Sequence, residues 1–280
     1  DFLGLKNLTV IKEALDLINA SREKQNLSKI TTHHINANIY DENVYKDIFS
    51  NGNTLNVFQF ASPPMRKMLK DAEPDRFEDL IALVSLFRPG PMDNIPSFIA
   101  RKKGIEPIVH LDVNCQALID ILEPTYGIIV YQEQVMQIAQ AYAGYTLGGA
   151  DLLRRAMGKK KPEEMAKQKG VFVEGAVKNG YSEEKAIEIF ELMEKFAAYG
   201  FNKSHAAAYA LVSFQTAWLK KYYPAQYLTA VLNSQIGENK NKDIYISLED
   251  ARLNGLNVLP IDINFSYQKF VIDENHKLCL

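Results

Sequence analysis

Apolar positions along this chain recur mostly at helical spacing. LTVIKEALDLINA places Val10, Ala14 and Leu17 on one stripe with Ile11, Leu15 and Ile18 beside it, which predicts a helix after a strand-like start at residues 1–5. A polar link, SREKQNLSKITTHHINAN, follows. DENVYKDIFSNG and SPPMRKMLKDAEP read as two short helical pieces around the apolar residues 55–60. Pro63 and Pro64 suit a helix start, and Pro74 stops the second piece. DRFEDLIALVSLFRPGPMD predicts the next helix. Asp75 and Glu78 stand at capping-box spacing, Phe77, Leu80, Ile81, Val84 and Leu86 form the apolar side, and Pro89-Gly90-Pro91 makes a rigid turn.

After a polar loop, YGIIVYQEQVMQIAQAYAGY carries Val135, Ile138, Ala139 and Tyr142 on one stripe between Gly127 and Gly144. Gly148-Gly149 read as a sharp turn before a short helix, ADLLRRAM. Its Leu152, Leu153 and Met157 are expected inside, with a basic loop beyond Gly158. Pro162 opens another helix, and Ser182 caps the one after it. Asn202 or Ser204 caps a long helix, HAAAYALVSFQTAWLKKYY, which Pro224 ends. AQYLTAVLNSQ follows, then a charged helix over about residues 238–254 with Gly255 as its stop. FVIDENHKLCL reads as a strand, a polar turn and a second strand. With no repeat and no long linker, the pattern predicts a mainly α fold: one multi-helical domain with a few short strands at the C-terminal end.

Composition narrows the function classes. The 280 residues are 47% hydrophobic and 24% charged, enough for a sizeable core. A net charge of -2 argues against a basic coat over the whole surface, so local patches must report any anionic partner. Cys115 and Cys279 stand far apart and offer neither metal spacing nor a disulfide framework, which implies a reduced, cytoplasmic setting. No apolar run approaches the roughly 18 residues of a membrane helix. The opening at Asp1 without a Met and the close inside half a hairpin read as a piece of a longer protein.

Two clusters carry candidate chemistry. GGADLLRRAMGKKK packs Arg154, Arg155, Lys159, Lys160 and Lys161 around the single acid Asp151. A solvated face, a protein-contact patch and a cradle for a polyanion all fit that run. Arg presents a planar fork suited to phosphate, whereas the lysines act as point charges. The second cluster is GFNKSHAAAY. Lys203 and His205 open a helix, where free N–H groups favour anions, and Tyr209 follows one turn later over a flat alanine face. A small-residue packing face with a satisfied histidine fits equally. Asp1, read alone, is a surface acid or one carboxylate of a metal site. Arg88, before the Pro-Gly-Pro turn, reads as an exposed arginine that caps a helix end.

DFLGLKNLTVI, LIALVSLFRPGPMD, EPTYGIIVYQEQVMQIAQ, GYTLGGADLLRRAMGKKKPEEM and KFAAYGFNKSHAAAYALVSFQTAWLKKYYP together resemble the bacterial replicative DNA polymerase III α subunits, the C-family polymerases. The resemblance runs in order and covers nearly the whole chain. It implies a tail of the palm at residues 1–20, a helical fingers domain at 21–265 and the start of a small β hairpin at 266–280. Asp1 then matches the third metal-binding carboxylate of the palm, and the implied cofactor is Mg²⁺. Arg154 and Arg155 match the paired arginines placed near the nucleotide triphosphate. Lys203, His205 and Tyr209 match a helix near the nucleotide and templating base. Arg88, Lys159, Lys160 and Lys161 are candidates for DNA contact. The implied parent is a DNA-directed DNA polymerase whose partners are primer–template DNA, dNTP and other polymerase III subunits, with no membrane. The piece alone is expected to be inactive, because one carboxylate cannot hold two metals. The rival reading is a non-catalytic helical module that binds DNA or a replisome partner.

Overall fold

The computed structural model describes residues 4–159, 162–197, 199–237, 241–260, 262, 264, 266, 268–273 and 278–279. The fold is mainly α, and it divides into two compact units. A central unit comprises Phe77–Ala208. A terminal unit joins Asp1–Arg76 to Tyr209–Leu280.

In the terminal unit the chain begins with α1 (Lys6–Lys24), α2 (Thr32–Ala37), α3 (Glu42–Val44), a π-helical turn (Tyr45–Ser50) and α4 (Pro63–Ala72). The apolar stripe of α1 buries Val10, Ile11, Ala14, Leu15 and Ile18, and the helix packs on α13 (Pro224–Gln235). α1 runs on through the SREK of the expected polar link. Within the remaining link Thr31 caps α2, its Oγ1 accepting from the His34 amide at 3.4 Å. Glu73 adopts a left-handed φ of +45° and ends α4 just before Pro74.

The central unit holds α5 (Phe77–Leu86), α6 (Ile95–Lys102), α7 (Gln116–Leu122), α8 (Gln132–Ala143), α9 (Leu147–Lys159), α10 (Pro162–Lys178) and α11 (Glu183–Ala197). α6 and α7 form where the sequence reads as loop. Ile95 and Phe98 anchor the first, Leu118 and Leu122 the second. α5 is buried on most of its surface, Asp79 included. The Asp79 carboxylate meets Lys102 Nζ at 3.0 Å and accepts from the Tyr126 hydroxyl at 3.0 Å, so the buried charge is paired. Gly90 turns the chain at φ +97°, where a Cβ would stand 2.6 Å from the Tyr199 ring.

α7 to α11 enclose a core built on Leu153, Met157, Phe172, Phe190 and Met193. At Gly175 a Cβ would lie 2.2 Å from the Ala143 carbonyl oxygen, so only glycine lets α10 approach α8 this closely. The buried hydroxyls find partners. Tyr142 donates to Asp112 at 2.8 Å, and Tyr181, stacked on Tyr142 at 4.0 Å, donates to Cys115 Sγ at 3.1 Å. Burial and the neighbouring Asp112 carboxylate push the Tyr142 hydroxyl far above its ordinary value.

The long helix α12 (Lys203–Tyr222) contains the division between units. α13 (Pro224–Gln235) and α14 (Asn241–Leu253) follow. Two short antiparallel strands, β1 (Val271–Ile272) and β2 (Leu278–Cys279), pair with Val271 opposite Cys279. Phe270 and Leu278 complete a small core with Leu228, Leu232 and Ala251.

Candidate functional site

The first cationic stretch lies on α9, and its local structure differs from expectation. Gly148, Gly149 and Gly158 are helical; they make neither the turn nor the loop that the sequence suggests. Ala150, Leu153, Ala156 and Met157 supply an inward stripe whose burial outweighs the poor helix propensity of the glycines. Leu152 is 62% exposed and does not face the core. One residue is about 100° of helical rotation, so Leu152 cannot share a stripe set by Leu153 and Met157.

The same geometry puts Asp151 beneath both arginines. Its Oδ1 takes Arg154 Nη2 at 2.8 Å and Nε at 3.0 Å, and its Oδ2 takes Arg155 Nη2 at 2.7 Å. The two guanidiniums hold the Asp151 carboxyl below the usual carboxylate range. Arg154 is half-buried, whereas Arg155 is exposed. Lys159 is the last residue of α9; Lys160 and Lys161 lie outside the described residues.

The second stretch meets the first through the start of α8. Backbone bonds from Gln132 N to Phe201 O (3.0 Å) and from Phe201 N to Val130 O (3.1 Å) clamp segment 199–202 against residues 130–132. The Gln132 side chain then bridges. Its Oε1 accepts from Arg154 Nη1 at 3.2 Å, and its Nε2 donates to the Gly200 carbonyl at 3.0 Å. Glu133 continues the seam: Oε2 accepts the Lys203 amide at 2.9 Å, and Oε1 accepts Asn202 Nδ2 at 3.0 Å. Asn202 in turn caps α12, its Oδ1 accepting the His205 amide at 2.8 Å. Two of the amides that looked open to an anion are therefore already engaged, and a carboxylate sits at the positive end of the helix.

Side chains close the network. Lys203 Nζ lies 5.4 Å from the Tyr131 ring centroid, and the His205 ring meets Phe201 edge-on at 5.5 Å. The guanidinium carbon of Arg88 lies 4.2 Å above the Phe201 ring, with Nη2 donating to Tyr199 O at 2.7 Å and Nε to Ser85 O at 3.0 Å. Burial lowers the proton affinity of Arg88, yet an arginine stays charged. Arg88, Arg154, Lys203 and His205 thus belong to one connected polar network inside the central unit, and Arg155 joins it through Asp151. Tyr209 belongs to the terminal unit, where its ring packs on Phe58 at 5.3 Å. Asp1 lies outside the described residues.

Gln132, Glu133 and Asp151 are the polar partners that reading by motif passes over. Asp151 had a readable signal, since it precedes the arginines by three and four residues. Gln132 and Glu133 act across about seventy residues of chain and leave no local pattern. Among the described residues no group of three or more His, Cys, Asp or Glu side chains is arranged to hold a metal ion. None of their helices is long and apolar enough to cross a membrane.

What the fold and the site define is a class: a helical domain that gathers basic side chains around one clamped turn. Residues 7–180 match the sequence profile of the bacterial DNA polymerase III alpha subunit finger domain, and the chain belongs to that family. It is similar to the DNA polymerase III subunit alpha of Xylella fastidiosa strain 9a5c, 56% identical over 270 residues that cover 96% of this chain and 22% of that relative. The Neisseria meningitidis serogroup B protein of the same name is 55% identical over 273 residues, covering 96% and 22%. The Escherichia coli K12 one is 52% identical over 282 residues, covering 99% and 24%. The chain thus spans 22% to 24% of the length of these relatives.

Proposed function

We propose that this chain is the fingers-bearing part of a DNA-directed DNA polymerase, and that the α8–α9–α12 network receives the triphosphate of the incoming dNTP. On this reading residues 1–20 close the palm, 21–265 form the fingers and 266–280 begin a hairpin. Arg154 and Arg155 grip the triphosphate oxygens, and Lys203 and His205 add charge and hydrogen bonds. Tyr209 packs near the base or sugar, and Lys159, Lys160 and Lys161 attract the DNA backbone. Arg88 acts by holding the Tyr199–Phe201 turn, the direct DNA contact being its weaker role. Phosphoryl transfer needs charge neutralisation and alignment more than a covalent partner, which is what fixed guanidiniums supply. Asp151 keeps the two arginines ordered until a polyanion outcompetes it, and Glu133 fixes the start of α12 through the Lys203 amide and Asn202.

The observation that carries the reading is the Gln132 bridge, which ties Arg154 on α9 to the turn that opens α12. Mg²⁺ would be held by Asp1 and by carboxylates from other parts of the parent, and would add neutralising charge. The described residues offer no cluster for it. The 280-residue chain by itself should therefore not extend a primer. Primer–template DNA, dNTP and further polymerase III subunits are the proposed partners, in the bacterial cytoplasm.

Steady-state kinetics of the full-length parent carrying Arg154→Ala tests the assignment. A raised KM for dNTP or a lowered kcat supports it. If only DNA affinity and its salt dependence change, the chain is a DNA-interaction module and the triphosphate assignment is wrong.

A further inference from the structure

The terminal unit contains a cavity of about 350 Å³ lined by basic and aromatic side chains. Arg22 from the end of α1, Lys29 from the link and His34 from α2 line it together with Trp218 and Tyr222 of α12 and the adjoining Tyr223. The rings are held in place. Trp218 lies 5.0 Å from Tyr222 and 5.8 Å from Tyr223, and His34 meets Trp218 edge-on at 5.8 Å. Tyr222 donates to Asp41 at 2.7 Å. Arg22 spends Nε on the Ser28 carbonyl (2.6 Å) and Nη1 on the Tyr223 hydroxyl (3.3 Å), which fixes its fork and leaves further donors.

A neighbouring cavity, also about 350 Å³, shares Arg22, Tyr222 and Tyr223 as its wall. Two compartments either side of one arginine suit a linear ligand that repeats a flat ring and an anion. Another cavity of this unit, about 510 Å³, does not: Lys220 is paired with Asp250 at 2.9 Å and Lys221 with Asp47, so its charges are already spent. Aromatic platforms beside unspent cations are the means by which single strands are bound without regard to sequence.

We infer that the Arg22–Lys29–His34 and Trp218–Tyr222–Tyr223 cavity binds single-stranded DNA, taking a base against the exposed Tyr222 ring and a phosphate against Arg22 and Lys29. The inference stands on the chemistry of this cavity; that a single strand is at hand rests on the polymerase reading above. Trp218 is the only tryptophan of the chain and lines the cavity, so its fluorescence reports occupancy. The probe is an oligothymidylate about ten nucleotides long, within the usual span of such sites.

Titration of the 280-residue chain should change Trp218 emission saturably. Tyr222→Leu should weaken binding about tenfold, the effect of losing one stacked base. Lys29→Ala should weaken it and lower the salt slope by about 0.7, the share of one phosphate contact on a single strand. Lys29 is exposed, so this variant keeps the fold, which circular dichroism checks. Arg154→Ala should leave the titration unchanged, which separates this site from the triphosphate assignment. No emission change, a titration indifferent to both Tyr222→Leu and Lys29→Ala, or an equal response to polyglutamate would overturn the proposal; the last would assign the cavity to acidic peptides.

Discussion

Replacing Gln132 by Met keeps the length and bulk of the side chain and removes both polar contacts of the bridge. The Gly200 carbonyl loses a donor at 3.0 Å, and Arg154 loses an acceptor at 3.2 Å. The backbone bonds between Gln132 and Phe201 survive, so segment 199–202 stays docked. A net hydrogen bond contributes about 0.5–1.5 kcal/mol. The Gly200 bond belongs near the middle of that range and the longer, half-exposed Arg154 bond at its foot, so the central unit should lose about 1.5 kcal/mol. Asp151 still holds Arg154. The functional loss should therefore stay below that of Arg154→Ala: a rise in KM for dNTP of about three- to tenfold, the kinetic equivalent of up to about 1.4 kcal/mol. Urea unfolding of the 280-residue chain reads the first quantity. Single-nucleotide insertion by the full-length parent reads the second. A variant that loses stability yet keeps its KM would reduce Gln132 to a structural strut and refute its role in aligning Arg154.

Three further outcomes follow from the same contacts. Lys102→Ala should destabilise the central unit by about 3 kcal/mol, the lower end for breaking a buried ion pair, with the Tyr126 hydroxyl still bonded to Asp79; urea midpoints measure it. Leu153→Ala should cost about 3 kcal/mol and Leu152→Ala less than about 0.5 kcal/mol in the same assay; the reverse order would mean that α9 is rotated from the orientation described. The Asp151 carboxyl is depressed in the folded chain, so its stabilising contribution is complete above the unfolded value of about 4 and fades as pH falls through the folded one. Asp151→Asn should flatten stability across that acid window, and a gap between the two proteins that widened on acidification would contradict the ion pairs with Arg154 and Arg155.

Long periodic segments were the readable part of this fold. α8 buries Val135, Ile138, Ala139 and Tyr142 as its stripe implies, and α12 starts at the cap that Asn202 provides. α6 and α7 were hidden because about two turns hold too few apolar positions to establish a period. In α9 the glycines signal a break, but the tertiary burial of Leu153 and Met157 overrides that local preference. Of the site, the cations themselves stood out as charge clusters. Their organisation did not, because Gln132 and Glu133 belong to an unremarkable helix start and acquire their partners only when residues 130–132 meet 199–202. Nor did the engagement of the α12 amides, which free-end reasoning leaves open to a ligand.

The central claim is that the guanidinium pair on α9 and the basic start of α12 serve one ligand. A structure of the full-length parent with primer–template DNA and an incoming nucleotide measures that directly. The account predicts triphosphate oxygens within hydrogen-bonding reach of Arg154 or Arg155 and, in the same complex, of Lys203 or His205. A triphosphate bound elsewhere, with Arg154 still paired to Asp151 and bridged by Gln132 as described, would contradict it.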